Sequence, residues 1–359
     1  MNEYIQLMID WIEENLKVEF SLENLASYMG YSPYYCSFKF HQVTGISIRR
    51  YILQRKLYLS TEDLANNRKI IDIAFDYHYS SQEAYSRAFK TIFGVSPREF
   101  QLNQLPVQSF SKLIIHQGED GCRMNISRET EVEQLKRRKR ELFDQDVLNI
   151  LNGQVMYKEF KNKRLMGDSD YAPFNEAMCV NAVTTTIFDH AFIQTRAAGH
   201  GESEENYRNK VIEPLNNLFL KKYNYIVLWF GEDMFCQMNL LTLLAYLEQS
   251  HFKGKVYLNS FRDDEFKVSQ TEIALSGYYS VYVEVMVNLM KPTNEVPPVM
   301  YQAIGLFLEM QTENNRVIKY ILKNKHLPSF ELLKRLFEVF PTLGYGDSQY
   351  RELIDKISE

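Results

Sequence analysis

An internal repeat near the start of the chain constrains its fold more than any other feature. Residues 21–51 and residues 69–100 match at an offset of 48 positions in their first half and 49 in their second. The matching pairs are Leu25 and Ile73, Ala26 and Ala74, Tyr31 and Tyr79, Ser32 and Ser80, Phe40 and Phe89, Gly45 and Gly94, Ser47 and Ser96, and Tyr51 and Phe100. One structural unit is therefore used twice.

Each copy has the pattern of two short helices joined by a tight turn. In the first copy, the apolar residues of segment 22–29 follow the i, i+3, i+4, i+7 spacing of an amphipathic helix. After the turn, Ser32 in the first copy and Ser80 in the second are suited to cap the next helix. The pattern fits a helix-turn-helix or a hairpin of a helical bundle, and the duplication favours the helix-turn-helix.

A third helix is predicted to join the two copies. Residues 48–64 would form a helix of about 25 Å at 1.5 Å per residue. Successive major grooves on one face of a DNA duplex lie about 34 Å apart. A single chain is therefore able, on geometry alone, to place both second helices on one duplex.

Residues 1–103 contain the motifs LENLA…GYS, F…TGIS…RYI and IIDIAFDYHYSSQEAYSRAFKTIFGVSPREF. Together these motifs resemble the bipartite helix-turn-helix domain of AraC/XylS-type bacterial transcription regulators. The resemblance implies that residues 33–40 and 81–93 are recognition helices. It places base contacts on Tyr34, Ser37, Phe38, Gln82, Glu83 and Arg87. Glutamine suits adenine, arginine suits guanine, and glutamate accepts from cytosine N4.

Basic side chains around these helices are candidates for phosphate contact. They are Lys39, Arg49, Arg50, Arg55, Lys56, Lys90 and Arg98. Residues 1–100 hold 11 lysines and arginines against 12 acidic residues, a net charge of −1, so nonspecific affinity should be modest. Two positions depart from the family pattern. Phe38 stands where the family commonly has arginine, and His78-Tyr79 replaces a Gly-Phe turn.

The rest of the chain predicts a different architecture. Residues 104–170 read as a linker and a charged helix region, whose basic run 136–140 is typical of a hydrated surface, with phosphate contact as the alternative. Apolar segments 178–183, 225–230 and 255–261 read as buried strands, and an apolar helix between the last two favours parallel pairing.

We therefore expect a multidomain protein, with an all-α tandem helix-turn-helix domain followed by an α/β domain with a C-terminal helical subdomain. The expected boundaries are 1–103, 104–170, 171–295 and 296–359. The segments YIVLWFGEDMFCQMNLLTLLAYLEQ, LPSFELLKRLFEVFPT and GYGDSQYRELI resemble a bacterial family of unknown function over residues 175–359. That family has no established activity, so the resemblance implies an architecture and little chemistry.

Open α/β sheets bind ligands beyond the carboxyl ends of their strands. By this fold analogy the ligand candidates are Thr184, Thr185, Gly231, Glu232, Asp233, Asn259 and Arg262. Glu232 and Asp233 also fit a simpler role at the start of a helix, where acidic side chains complement its dipole. The polar segment 196–206 is predicted to be a surface loop.

These features predict a sequence-specific transcription regulator that binds double-stranded DNA. Its C-terminal region is expected to sense a small-molecule effector or to mediate self-association; an enzyme acting on a nucleotide or metabolite is the alternative. No catalytic triad, metal-ligand spacing or cofactor motif is present, so we expect no enzyme, metal or cofactor. RNA polymerase is a further candidate partner, and the chain is expected to be cytoplasmic, without membrane contact, as a monomer or homodimer.

Overall fold

The start of the chain folds into seven helices, and the two repeat copies adopt the same arrangement. The computed structural model describes residues 2–115, 131–262 and 267–358. The first helices are α1 (Asn2–Glu14), α2 (Leu22–Met29), α3 (Pro33–Thr44), α4 (Ile48–Ala65), α5 (Ile70–Asp76), α6 (Gln82–Phe93) and α7 (Pro97–Asn103). Helices α2 and α3 form the first helix-turn-helix, α5 and α6 form the second, and α4 joins them, which confirms the predicted tandem arrangement.

Equivalent residues of the two copies have the same burial and the same backbone conformation. Phe40 and Phe89 are both fully buried, each on the second helix of its copy. Gly45 and Gly94 end those helices in the left-handed region, at φ values of 71° and 79°. This conformation is costly for residues with a Cβ, so glycine suits both helix ends. The match in sequence is therefore a match in backbone geometry.

The turn of the second copy differs from that of the first in two ways. His78 occupies the left-handed region with φ 59°, where the first copy has Gly30. The capping residue of α6 is Ser81 rather than the predicted Ser80, because the extra residue of the second copy precedes the cap. The change of offset therefore lies in the turn itself.

The central part of the chain forms a five-stranded sheet with helices. The strands are β1 (Val147–Asn152), β2 (Asp170–Phe174), β3 (Tyr225–Trp229), β4 (Lys255–Arg262) and β5 (Lys267–Ile273), in the order β2-β1-β3-β4-β5. Strands β1 to β4 are parallel and β5 is antiparallel to β4. The helices are α8 (described residues 131–138), α9 (Gln154–Lys163), α10 (His190–Gly199), α11 (Glu204–Tyr207), α12 (Asn216–Leu220), α13 (Met234–Gln249), α14 (Tyr278–Tyr282) and α15 (Pro298–Met310).

The strand predictions are confirmed in two cases and wrong in one. Strands β3 and β4 match the predicted segments, and α13 connects them as a parallel pair. Segment 178–183 is not a strand, because Asn181 within it lies in the left-handed region with φ 65°, which interrupts extended backbone. Three of its carbonyl groups bond to a side chain instead of a sheet neighbour. The guanidinium of Arg196 donates to the carbonyl oxygens of Val180, Asn181 and Ala182 at 2.7 to 3.2 Å. Strand β1 also lies inside the region that was predicted to be a linker.

The chain ends in three helices, α16 (Arg316–Lys323), α17 (Ser329–Val339) and α18 (Asp347–Ser358). The structure has two compact units. The first takes its described residues from Met1–Asp120, Glu313–Pro341 and Tyr345–Glu359, and the second from Gly121–Thr312 and Thr342–Gly344. The segment 296–359, predicted as one subdomain, is thus divided: α15 packs on α13 in the second unit, whereas α17 packs on α3 in the first.

Candidate nucleic-acid interface

The two recognition helices begin in the same way. The Ser32 hydroxyl accepts a hydrogen bond from the backbone N–H of Tyr35 at 3.2 Å, and the Ser81 hydroxyl accepts one from Ala84 at 3.1 Å. Each cap satisfies one of the N–H groups that a helix leaves unpaired at its start. Both helices therefore begin at a defined residue, which fixes the positions of the side chains in their first two turns.

The first recognition helix presents aromatic side chains to solvent. Tyr34 is 80% exposed and Phe38 is 42% exposed, although both are aromatic. Their rings lie nearly parallel, with centroids 6.3 Å apart, and Ser37 between them is half-buried. An exposed aromatic face at the start of such a helix is suited to apolar contact with thymine methyl groups.

The second recognition helix presents polar side chains instead. Gln82, Glu83 and Arg87 are all exposed, and Glu83 and Arg87 are four residues apart on one face of α6. Hydrogen bonds from the Ser81 hydroxyl and from the backbone hold the pKa of Glu83 below its ordinary value, and the charge of Arg87 adds to this effect. Helix α6 therefore offers a carboxylate acceptor and a guanidinium donor side by side.

Five of the seven predicted phosphate contacts lie at the surface. Lys39 is half-buried, and the others are exposed. The exposed ones are Arg49, Arg50, Lys90 and Arg98. The side chains of these five residues are therefore accessible to solvent.

Arg55 and Lys56 are corrections, because both side chains are buried and bonded within the protein. Arg55 is 8% exposed, and its guanidinium donates to both carboxylate oxygens of Glu13 at 2.7 and 2.8 Å and to the carbonyl of Phe110. Lys56 is also 8% exposed and donates to the carbonyl of Tyr77 at 3.1 Å, and burial lowers its pKa. These cations hold helices together and are not accessible to phosphate.

The predicted ligand residues do not all meet at one edge of the sheet. Gly231, Glu232 and Asp233 follow β3. Asn259 lies inside β4 but pairs with Trp229, the last residue of β3, so these four residues lie toward the carboxyl edge. Arg262 ends β4, and its side chain lies outside the described part of the structure. Thr184 and Thr185 are corrections as strand-end residues, since the strand predicted before them is absent.

Asp233 lies at the start of a helix, in the simpler of its two predicted roles. Its carboxylate accepts a hydrogen bond from the backbone N–H of Cys236 at 2.8 Å and caps α13. Its position at the edge of the sheet is therefore explained by helix capping and is not by itself evidence for ligand binding.

Two polar side chains at this edge were missed by the sequence analysis. Gln237 and Ser260 are almost fully buried, and neither Gln237 Oε1 nor Ser260 Oγ has a hydrogen-bond partner among the described residues. Asn152 donates to Cys236 Sγ at 2.9 Å, so the side chain of Asn152 lies on the sheet face that packs against α13. The strand register and the alternation of side chains place Ser260 on the same face. The sequence signal that could have identified them is a polar residue inside an apolar helix or strand segment.

A buried charge cluster in the second unit was also missed. Arg196 is fully buried, although segment 196–206 was predicted to be a surface loop. Its Nη2 donates to Glu176 Oε1 at 2.8 Å, and His200 Nε2 lies 2.7 Å from the same oxygen. The hydroxyl of Tyr207 donates to Glu176 Oε2. A cluster that joins residues from distant segments leaves no local signal in the sequence.

The described residues contain neither a group of side chains able to hold a metal ion nor a helix long and apolar enough to span a membrane.

Comparison with known proteins identifies relatives of the first part of the chain. A family model described as a helix-turn-helix domain matches residues 25–103. The regulatory protein SoxS of Salmonella typhimurium is 36% identical over 98 residues, which cover 27% of this chain and 92% of SoxS. The HTH-type transcriptional activator AarP of Providencia stuartii is 31% identical over 100 residues, which cover 28% of this chain and 74% of AarP.

Among solved structures, the C-terminal domain of AraT, a response regulator from Geobacillus stearothermophilus, is 27% identical. The match covers 28% of this chain and 84% of that domain, with a TM-score of 0.27. The family model and the two relatives match less than a third of the chain, so these matches bear on the tandem helix-turn-helix and not on the sheet.

Proposed function

Since this chain belongs to the AraC-type family of helix-turn-helix transcription regulators, we propose that α3 and α6 read base edges in two successive major grooves. The chain is a DNA-binding transcription regulator. In the proposed arrangement, Tyr34, Ser37 and Phe38 contact one half-site, and Gln82, Glu83 and Arg87 contact the other. The matching caps and exposed first turns of α3 and α6 support this proposal.

The first half-site is proposed to be read mainly through thymine methyl groups, because Tyr34 and Phe38 offer ring faces. The second is proposed to be read through hydrogen bonds, because Arg87 suits guanine and Glu83 suits cytosine. Cationic side chains at the surface would contact DNA phosphates and so fix the position of the protein along the duplex. They are Lys39, Arg49, Arg50, Lys90 and Arg98. The two half-sites therefore differ in chemistry, and the bound sequence should be asymmetric.

Selection of bound sites from random DNA with the full chain tests this proposal. We expect one asymmetric site of about 20 base pairs, two turns of duplex, for a single chain. An inverted repeat of such sites would indicate a homodimer. Enrichment of no sequence, or of one half-site alone, would contradict two-helix reading.

Replacing Arg87 by alanine on the selected site separates base reading from phosphate contact. We expect Arg87→Ala to reduce discrimination at one base pair by about 1 to 3 kcal/mol and to leave binding to random DNA nearly unchanged. Lys90→Ala, on the same helix, should weaken binding to selected and random DNA alike. Measured affinities on single-base variants of the site decide the matter, and equal losses on both kinds of DNA for Arg87→Ala would contradict its role.

The second unit is proposed to bind a small polar effector at the carboxyl edge of its sheet. This location is where open α/β sheets bind ligands, and buried polar atoms usually have a hydrogen-bond partner. Gln237 Oε1 can only accept, whereas Ser260 Oγ can donate or accept. A molecule with hydroxyl or amide N–H groups would pair with both atoms, and it would lie near Gly231, whose carbonyl accepts from Gln237 Nε2 at 2.7 Å.

Thermal unfolding of the full chain with monosaccharides, amino acids and nucleosides tests the effector proposal. A ligand at 100 times its Kd adds about 2.7 kcal/mol, which corresponds to a rise in Tm of about 5 to 10 °C. Ser260→Ala should abolish this rise, and Ser280→Ala, at an exposed serine of α14, should preserve it. No rise with any compound would contradict effector binding, and turnover of a bound compound would indicate an enzyme.

A further inference from the structure

The C-terminal helices form part of the unit that contains both recognition helices. Helix α17 packs on α3, where the backbone of Gly45 lies against the side chain of Val339. A Cβ added at Gly45 would come within 2.3 Å of Val339 Cγ1, so the approach is close. The position of α3 is therefore linked to residues near the other end of the chain.

Helix α16 ends beside the base-reading face of α3. The ammonium of Lys323, its last residue, lies 5.7 Å from the centroid of the Phe38 ring. The ammonium of Lys39 lies 5.7 Å from the same centroid. Both distances are within the range of cation–π attraction. Two positive charges thus converge on one exposed ring.

The nearby titratable side chain responds to this charge. Burial, followed by the positive charge of Lys323, lowers the pKa of His41, which lies one turn beyond Phe38 on α3. Within the described ranges, no carboxylate forms an ion pair with Lys39 or Lys323. The ammonium of Lys39 donates a hydrogen bond to a neutral acceptor, Gln42 Oε1, at 3.0 Å. Among the described residues of this unit, the two ammonium groups therefore form a positively charged site without an anionic partner.

The charge of α16 contrasts with that of the helix-turn-helix region. Segment 316–326 holds four lysines and arginines and no acidic residue, whereas residues 1–100 have a net charge of −1. DNA affinity depends strongly on the number of phosphates that cations neutralise. The C-terminal segment therefore adds positive charge beside a recognition helix whose own region is nearly neutral.

The C-terminal helices do not cover the base-reading residues. Tyr34 remains 80% exposed and Phe38 remains 42% exposed with α16, α17 and α18 in place. A segment that blocked DNA binding would bury these side chains. The contacts of α17 lie instead toward the end of α3, around Gly45.

From this arrangement we propose that Lys323 contacts a DNA phosphate beside the half-site that α3 reads. The C-terminal helices thereby extend the DNA interface and hold α3 in position. This inference rests on the proposed reading of DNA by α3. It assigns a DNA-contacting role to a segment that lies outside the tandem helix-turn-helix.

The test uses the full chain and the duplex selected above, with affinity measured over a range of salt concentrations. Loss of one phosphate contact should weaken binding of Lys323→Gln about 5- to 10-fold at 0.1 M salt. The slope of log affinity against log salt should fall in magnitude by about 0.9. Lys323→Arg should retain most of the affinity, because it keeps the charge.

Lys222→Gln is the matched control, because it removes the same charge from an exposed lysine of the second unit. It should leave affinity and slope unchanged. If Lys323→Gln binds like the wild type, or if Lys323→Arg binds as poorly as Lys323→Gln, the phosphate contact is refuted. Tighter binding by Lys323→Gln would show that α16 opposes DNA binding. A wild-type chain that selects no DNA would instead overturn the proposed function itself.

Discussion

Replacing Glu176 by leucine is expected to lower the free energy of unfolding of the second unit by about 3 to 5 kcal/mol. The guanidinium of Arg196 is fully buried and pairs with the Glu176 carboxylate at 2.8 Å. Without that carboxylate, Arg196 becomes a buried charge whose remaining partners are mainly backbone carbonyls. The hydroxyl of Tyr207 and the imidazole of His200 also lose their acceptor.

Trp229 provides the measurement, because the chain has two tryptophans and Trp11 lies in the other unit. Urea unfolding followed by Trp229 fluorescence in a Trp11→Phe background reports on the second unit. Lys255→Ala is the control, since Lys255 pairs with Glu272 at 3.3 Å with both side chains exposed, and its loss should cost under about 1 kcal/mol. Equal losses for the two variants would contradict a structural role for the buried cluster.

The same carboxylate predicts a pH dependence. Burial raises the pKa of Glu176, but the hydrogen bond from His200 and the charge and hydrogen bonds of Arg196 outweigh this effect and hold it well below its ordinary value. A carboxyl group whose folded pKa is depressed stabilises the fold above its unfolded pKa of about 4.3 and loses this contribution as pH falls further. Between about pH 5 and pH 3, wild type should therefore lose more stability than Glu176→Leu.

Replacing Phe89 by alanine is expected to destabilise the first unit by about 3 to 5 kcal/mol and to abolish specific DNA binding. Phe89 is fully buried, and its ring centroid lies 4.6 Å from that of Phe93 and 5.7 Å from that of Phe100. Removal of the ring leaves a cavity under α6. The side chains of Gln82 and Arg87 then lose their fixed positions.

Phe38→Ala is the matched control, because it removes the same ring from an exposed position of the other recognition helix. Its effect on stability should stay within about 1 kcal/mol, whereas its affinity for the selected site should fall. Hydrogen exchange of peptides from residues 82–103, with DNA affinity measured in parallel, distinguishes the two variants. If these amides are as well protected from exchange in Phe89→Ala as in Phe38→Ala, the Phe89 ring does not hold α6 in position.

Much of the candidate interface was predictable, because it depends on residues close together in the sequence. Ser32, Gly45 and Phe40 occupy the roles that the repeat and helix periodicity indicate. The exposure of Tyr34 and Arg87 follows from their places on the same helices. The prediction failed for Arg55 because a basic residue on a helix is usually hydrated, and its partner Glu13 lies 42 positions away.

The sequence alone determined the tandem helix-turn-helix, its linking helix and the parallel pairing of β3 with β4. These features follow from caps, turns and periodicity, which act over a few residues. Only the tertiary structure decided that Arg196 is buried and donates to the carbonyl groups of residues 180–182, and that α17 packs on α3. A buried charge or a helix contact depends on a partner far along the chain, and local pattern carries no information about which partner that will be.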